Sequence, residues 1–123
     1  MKNLLFIPFL FVCSMVIGQS SKIIGKPYKL TKFEVAQNDF PMMNWDDAKK
    51  ACANLGSGWR LPTKDELNLM YKNRKKIGGF ANNYYWSSTE YLNRFAWRQN
   101  LSAGRQDYLD KYYGISVRAV RSL

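Results

Sequence analysis

The sequence predicts one α+β domain in which two amphipathic helices precede several short antiparallel strands. Two segments, residues 44–56 and 63–79, carry apolar residues at helical spacing behind a clear N-cap residue. From residue 80 onward, apolar residues alternate with polar ones, which is the period of a half-buried strand. Because the helical and extended patterns occupy separate parts of the chain, we expect helices that are segregated from the sheets.

Residues 1–18 have the pattern of a secretory signal peptide. A positive start precedes an apolar run over residues 4–17, and small or polar residues follow it. We place cleavage before Gln19 and interpret residues 19–27 as a flexible lead-in. The alternative is an uncleaved membrane anchor, but Pro8 interrupts the run, and the run is shorter than the roughly 20 residues that span a bilayer.

The two cysteines predict no internal disulfide after export. Cys13 lies inside the signal sequence, and Val12 before it is not the small residue that lipoprotein processing requires, so we reject lipidation. Cys52 then remains without a cysteine partner. Its place in the apolar stripe of the first helix predicts a small buried core residue. The alternative is a reactive thiol, but no nearby residue would lower its pKa.

Residues 28–123 form the predicted domain. It begins with a strand over residues 28–35 and a turn at residues 38–41. The first helix begins after the N-cap Asn44 and ends at Gly56. Its expected core face consists of Trp45, Ala48, Ala51, Cys52 and Leu55.

The second helix begins at a capping box formed by Thr63 and Glu66 and ends at Gly78-Gly79. Lys72, Arg74, Lys75 and Lys76 occupy its C-terminal end, where positive charge is favourable. The alternating segments then predict a hairpin turn at residues 102–104 and strands over residues 84–88, 95–101, 105–109 and 115–121.

Four motifs in this order resemble a known bacterial family. They are GWRLPTKDEL at residues 58–67, YYWSSTE at residues 84–90, AW at residues 96–97 and VRAVR at residues 117–121. The region from Trp45 to Leu123 is similar to the Lcl C-terminal domain family, and the RLPT segment is also similar to formylglycine-generating-enzyme-like domains. The resemblance implies a C-type-lectin-like fold, in which two helices flank small antiparallel sheets and the N- and C-terminal strands pair.

The resemblance also implies a function in binding, because the family's characterised adhesin binds sulfated polysaccharides. The family has no established catalytic residues to carry over. This chain departs from true C-type lectins, since it lacks paired disulfides and the E-P-N and W-N-D triplets that bind calcium and sugar. We therefore do not expect calcium-dependent sugar binding.

The residue types argue against an enzyme, a cofactor or a metal site. The sequence has no histidine, which removes the commonest general base and metal ligand. The carboxylate pairs Asp46/Asp47 and Asp65/Glu66 lie in the first turns of helices, where capping explains them. A structural calcium would need several oxygen ligands in one loop. The candidates do not match a known loop spacing: Asn82, Asn83, Glu90, Asp107 and Asp110.

The aromatic and basic residues of the RLPT and strand regions have separate expected roles. Trp45, Trp59 and Trp86 should be core residues. Trp97 alternates with Arg98, so one of them should face outward. We expect local hydrogen bonds, rather than a ligand, to hold Arg60.

Positive charge suggests an anionic partner. The formal net charge is +10, and loss of Lys2 with the signal peptide would leave +9. Such a surface attracts polyanions, although surplus lysine can also serve solubility alone. Export argues against nucleic acid, which leaves an acidic glycan or another envelope protein as the expected partner.

The segment between Glu90 and Tyr113 is the candidate binding surface. It mixes arginine, which can fork onto sulfate or carboxylate, with tyrosine, whose ring can lie against a sugar. The alternative is a solvated hairpin whose tyrosines pack against each other. We thus predict an exported, non-catalytic binding module of the periplasm or cell surface, with these ligand-binding residues: Tyr91, Arg94, Arg98, Arg105, Tyr108, Lys111 and Tyr112.

Overall fold

The computed structural model describes residues 23–123. The predicted signal peptide and its cleavage site lie outside the described residues and stay predictions, as does the start of the domain. No helix within residues 23–123 is long and apolar enough to cross a membrane.

From Tyr28 onward, the chain contains nine strands and three helices. In chain order these are β1 Tyr28–Lys29, β2 Phe33–Val35, β3 Phe40–Met43, α1 Trp45–Ala53, β4 Trp59–Arg60, α2 Lys64–Lys72, α3 Arg74–Ile77, β5 Tyr84–Tyr91, β6 Phe95–Asn100, β7 Gln106–Asp110, β8 Ile115–Val117 and β9 Val120–Ser122. The predicted α+β class is confirmed.

The strands form two small sheets. One has the order β1-β2-β9-β4, and the other has the order β3-β8-β5-β6-β7. The antiparallel pairing of β2 with β9 joins the two ends of the domain, as the resemblance implied. In the second sheet β5 runs parallel to β8, and β7 is an edge strand next to β6.

Both helices begin where the sequence predicts. The side chain of Asn44 accepts a hydrogen bond from the Asp47 N–H at 2.9 Å. Thr63 and Glu66 form the reciprocal capping box at the start of α2. The second helix does not continue to Gly78, however, because the chain leaves helical geometry at Asn73, whose side-chain amide donates to the Leu69 carbonyl at 2.9 Å. The rest of the predicted helix is the short α3.

Two predicted strands are each divided in the structure. Residues 28–35 form the β1–β2 hairpin, which turns at Thr31 and Lys32 and closes with a 2.8 Å hydrogen bond from the Leu30 N–H to the Phe33 carbonyl. Residues 115–121 divide at Arg118 into β8 and β9, which belong to different sheets. The division follows from the burial of the Arg118 side chain, which reaches Asp39 at 2.6 Å instead of facing solvent.

Two further strand boundaries differ from the predicted ones. The expected turn at residues 38–41 instead leads into β3 at Phe40, because Phe40 pairs with Val117 of β8. Strand β5 extends beyond Ser88 to Tyr91, because its far end pairs with the start of β6.

The hydrophobic core consists of two clusters of buried side chains. One contains Trp45, Trp59 and Trp86, which are 3%, 4% and 0% exposed, so the prediction that they are core residues is confirmed. The other surrounds Leu67 and Met70 of α2. The β5–β6–β7 hairpins extend from this core and present the candidate surface.

Candidate ligand-binding surface

The predicted site lies at the outer end of β5, β6 and the edge strand β7. The register sets Trp97 opposite Tyr108 and Arg98 opposite Asp107. Since neighbouring residues in a strand point to opposite faces, the Trp97–Tyr108 pair and the Arg98–Asp107 pair lie on different faces of the sheet. The predicted residues therefore do not form one continuous surface.

An aromatic patch forms on the first of these faces, and we define it as Tyr91, Phe95, Trp97 and Tyr108. The rings of Tyr91 and Tyr108 stack with centroids 4.2 Å apart, and Trp97 meets Tyr108 edge-on at 5.7 Å. Tyr91 and Tyr108 are 37% and 45% exposed, so part of the stacked pair is open to solvent. Lys64 of α2 contacts the Trp97 ring, with its Nζ 3.6 Å from the centroid.

Each cation of the predicted site has a carboxylate partner. Arg94 pairs with Asp110 at 2.6 Å. Arg98 and Arg105 share Asp107 at 2.7 and 3.7 Å. Lys111 pairs with Glu90 at 2.6 Å. Four cations thus meet three carboxylates, which leaves one net positive charge among these seven side chains.

The carboxylates that neutralise these cations are stabilised in their ionised form. A hydrogen bond from Lys111 lowers the pKa of Glu90 below its ordinary value. The Tyr112 N–H, followed by Arg94, lowers the pKa of Asp110 in the same way. Both carboxylates are therefore charged at neutral pH, so an incoming anion has to compete with them.

The predicted residues have different surroundings. Tyr91 and Tyr108 belong to the aromatic patch, and Arg94 lies beside it with its guanidinium carbon 5.6 Å from the Phe95 ring centroid. Arg98 instead lies over the Tyr84 ring at 3.8 Å, on the other face.

The remaining predicted residues flank the hairpins. The ammonium group of Lys111 lies 4.2 Å from the Trp45 ring centroid and donates to the Asn93 carbonyl, which are structural contacts. Arg105 is 75% exposed in its side chain. Tyr112 follows β7 and is 78% exposed.

Sequence reasoning missed part of the aromatic patch. The sequence predicts for Trp97 only its alternation with Arg98, and it predicts no role in the site for Phe95 or Lys64. The predicted hairpin turn at residues 102–104 does not supply the missing signal, because a hairpin centred on residue 103 would set Trp97 opposite Leu109. The observed register differs by one residue and sets Trp97 opposite Tyr108.

The cysteine, the possible metal ligands and Arg60 of the described part of the chain have the following surroundings. Cys52 is fully buried, and burial raises the pKa of its thiol to about 12. Within residues 23–123, no group of three or more acidic or cysteine side chains could hold a metal ion. Arg60 donates to Glu66 through both terminal nitrogens, at 2.6 and 2.9 Å, so it is held locally as expected. The absence of enzyme activity stays a prediction.

Solved structures share this architecture at low sequence identity. Botrocetin aligns with a TM-score of 0.60 and 11% identity, over 80% of this chain and 98% of its own. The snake venom toxin convulxin gives 0.62 and 10%, over 80% and 96%. EMS16, described as an antagonist of the collagen receptor integrin α2β1, gives 0.57 and 14%, over 79% and 97%. These likenesses confirm the C-type-lectin-like fold.

Comparison at the level of sequence identifies the family. No curated protein matches the chain significantly. The model of the Lcl C-terminal domain matches residues 22–121. The match therefore begins well before Trp45, where the resemblance in the motifs began, and includes β1 and β2. The chain belongs to the Lcl C-terminal domain family.

Proposed function

We propose that the protein is an exported, non-catalytic binding module for an acidic polysaccharide at the cell envelope, and that the aromatic patch contacts the sugar rings. The family and the lectin-like fold indicate a binding module. The observation that carries the choice of ligand is the stacked and exposed pair of Tyr91, at the end of β5, and Tyr108, on the edge strand β7.

The patch suits a pyranose ring. Tyrosine and tryptophan provide rigid apolar area at a small entropic cost, and their ring faces complement the apolar C–H face of a sugar. Tyr91, Trp97 and Tyr108 contact one another, so their positions are fixed before a ligand arrives.

The nearby arginines are secondary contacts in this proposal. Arg94 and Arg105 have side chains that are 75% exposed, and their planar guanidinium groups can fork onto sulfate or carboxylate. Because Asp110 and Asp107 already neutralise them, we expect the aromatic contacts to supply most of the affinity at this surface.

Binding to three polysaccharides with one backbone tests the proposal: dextran, carboxymethyl dextran and dextran sulfate. We expect the protein to bind the two charged polymers more tightly than dextran. The double variant Tyr91→Ala/Tyr108→Ala should bind about tenfold more weakly, since it loses roughly 1–2 kcal/mol of stacking.

The control is Met42→Ala, which removes an exposed apolar side chain on β3 at the opposite edge of the same sheet. Its affinity should equal that of the wild type. Equal affinities of the wild type and the double tyrosine variant would contradict the role of the aromatic patch. Failure of the wild type to bind any of the three polymers would contradict the proposed ligand.

A protein partner is the second candidate. Leu92, Tyr112 and Tyr113 are 69%, 78% and 59% exposed beside the hairpins, and tyrosine is enriched in protein interfaces. EMS16, which shares the fold, is described as an antagonist of an integrin receptor. Co-purification of one stoichiometric envelope protein, lost in Tyr112→Ala/Tyr113→Ala, would support this candidate over the polysaccharide.

A further inference from the structure

Among the residues that the structure describes, a cluster of cations without carboxylate partners lies away from the predicted site. We define the basic segment as Lys72, Arg74, Lys75 and Lys76, at the end of α2 and in α3. None of its members forms an ion pair with a carboxylate among residues 23–123, whereas every cation of the predicted site does. The field that attracts an anion should therefore be strongest at the basic segment.

A groove lies directly beside the basic segment. It has a volume of about 350 Å³, and its lining includes Arg74, Lys75, Gly79, Asn82 and Ser102. Two cations, a side-chain amide and a hydroxyl are groups that donate hydrogen bonds to anionic oxygens. The positive charge of the basic segment thus attracts an anion from a distance, and the groove offers hydrogen-bond donors that the anion can contact.

Arg74, on the α3 side of the groove, is held in position by Tyr71. Its Nη1 donates to the Tyr71 carbonyl at 3.0 Å, and its guanidinium carbon lies 4.2 Å from the Tyr71 ring centroid. The same ring packs against the turn between β6 and β7, since a Cβ at Gly104 would lie 2.5 Å from it. Tyr71 therefore fixes Arg74 relative to that turn.

The loop that follows α3 is anchored from the core. Gly78 and Gly79 have φ of +79° and +78°, which glycine adopts without strain. Buried Arg118 donates to the Gly78 carbonyl at 3.3 Å and lies 4.2 Å from the Phe80 ring centroid. Its Nη2 is the one buried side-chain nitrogen or oxygen in the described residues without a hydrogen-bond partner. The buried guanidinium group of Arg118 thus holds the loop that follows α3 from the side of the core.

We propose that the basic segment and its groove bind sulfate or carboxylate groups of an acidic polysaccharide, as a second contact area apart from the aromatic patch. This inference rests on the proposed function and deepens it by locating the charge recognition. A polysaccharide fits better than a lipid surface, because residues 72–82 expose no large apolar side chain that could insert between lipids.

The test compares two triple variants that lose the same charge. Lys72→Gln/Lys75→Gln/Lys76→Gln removes the lysines of the basic segment. The control, Lys26→Gln/Lys29→Gln/Lys50→Gln, removes three exposed lysines elsewhere. Affinity for dextran sulfate is measured at several salt concentrations, and thermal melting verifies that each variant is folded.

The basic-segment variant should bind at least tenfold more weakly than the wild type. The slope of log affinity against log salt should fall by about 2–3, since each lost contact releases about one counterion fewer. The control should change affinity by less than about twofold. Equal losses of affinity in the two variants would overturn the inference, because net charge alone would then explain binding. An unchanged affinity of the basic-segment variant would overturn it as well.

The outcomes separate this inference from the proposed function. If only the tyrosine substitutions weaken binding, the proposed function holds and the basic segment is excluded. If the wild type binds neither dextran sulfate nor carboxymethyl dextran, both fail. If the wild type prefers vesicles of phosphatidylserine and phosphatidylcholine, and the basic-segment variant loses that preference, a membrane replaces the polysaccharide and the inference is overturned.

Discussion

The buried ion pair between Arg118 and Asp39 should be a main determinant of stability. Arg118 is fully buried, and its Nε donates to Asp39 at 2.6 Å, while Nη1 donates to the carbonyls of Ala36 and Gly78. Asp39 also accepts a 2.6 Å hydrogen bond from the Tyr85 hydroxyl. Substituting Asp39→Asn keeps an acceptor for Tyr85 but leaves a buried guanidinium without a counter-charge.

The expected cost follows from the burial of the two partners. Removing one member of a buried pair typically costs 3–5 kcal/mol, so roughly that range applies to a fully buried pair. The Asp39 side chain is 22% exposed, and water therefore moderates the loss. We expect about 3 kcal/mol, which corresponds to a fall of roughly 15 °C in the melting temperature of a domain of this size.

Urea denaturation followed by tryptophan fluorescence measures the change in the free energy of unfolding. The matched control is Arg94→Gln, which breaks the exposed Arg94–Asp110 pair and should cost less than about 1 kcal/mol. Equal destabilisation by the two substitutions would refute the reasoning that burial makes the Arg118 pair important.

Three further predictions concern individual side chains. Cys52, being buried, should not react with a thiol reagent at pH 8 until the protein is unfolded with urea, and rapid labelling of the native protein would contradict its structural role. Thr63→Ala should lower the free energy of unfolding by about 1 kcal/mol, because the Glu66 N–H loses its 3.1 Å acceptor, whereas Thr63→Ser should be nearly neutral. Burial raises the pKa of Glu66, but hydrogen bonds from Arg60 and Thr63 outweigh it and leave the pKa below the ordinary 4.5. Its stabilising contribution is therefore present above pH 4.5 and is lost as the pH falls through the lower folded-state pKa, so Glu66→Gln should reduce the loss of stability in acid.

Local chemistry made the helices predictable. Asn44 and the Thr63/Glu66 capping box satisfy backbone N–H groups within four residues of themselves, so the sequence alone contains the signal. The divided strands depend on distant contacts. Residues 115–121 alternate like one strand, and the division at Arg118 follows from Asp39, which is 79 residues away.

The β1–β2 hairpin was missed for a related reason. Its turn at Thr31 and Lys32 contains no glycine, proline or asparagine, so no turn signal interrupts the alternating pattern. All three residues of β2 are buried, including Glu34, which pairs with Arg121 at 2.8 Å. A charged residue that is buried because it pairs with a residue on β9 cannot be recognised from the residues around it in the sequence.

The candidate site was predicted in composition but not in arrangement. Tyr91 stacks on Tyr108, which is the packing that the alternative interpretation, a solvated hairpin, expects. The ligand-binding role of these residues stays a prediction. Arg98 pairs with Asp107 because of the register between β6 and β7. This register determines on which face of the sheet Arg98 lies and which carboxylate neutralises it. In the sequence, the lysines of α3 are recognisable only as positive charges at the end of a helix. Which cations have a carboxylate partner and which have none depends on the tertiary structure.

The most direct test of the account is an NMR titration of the ¹⁵N-labelled protein with a short dextran sulfate oligosaccharide. Amide and indole signals should shift in two separate regions, the aromatic patch around Trp97 and Tyr108 and the basic segment with Gly79. Unsulfated dextran of the same length should leave the basic segment unchanged. Shifts confined to other surfaces, or no shifts at a saturating concentration, would contradict the account.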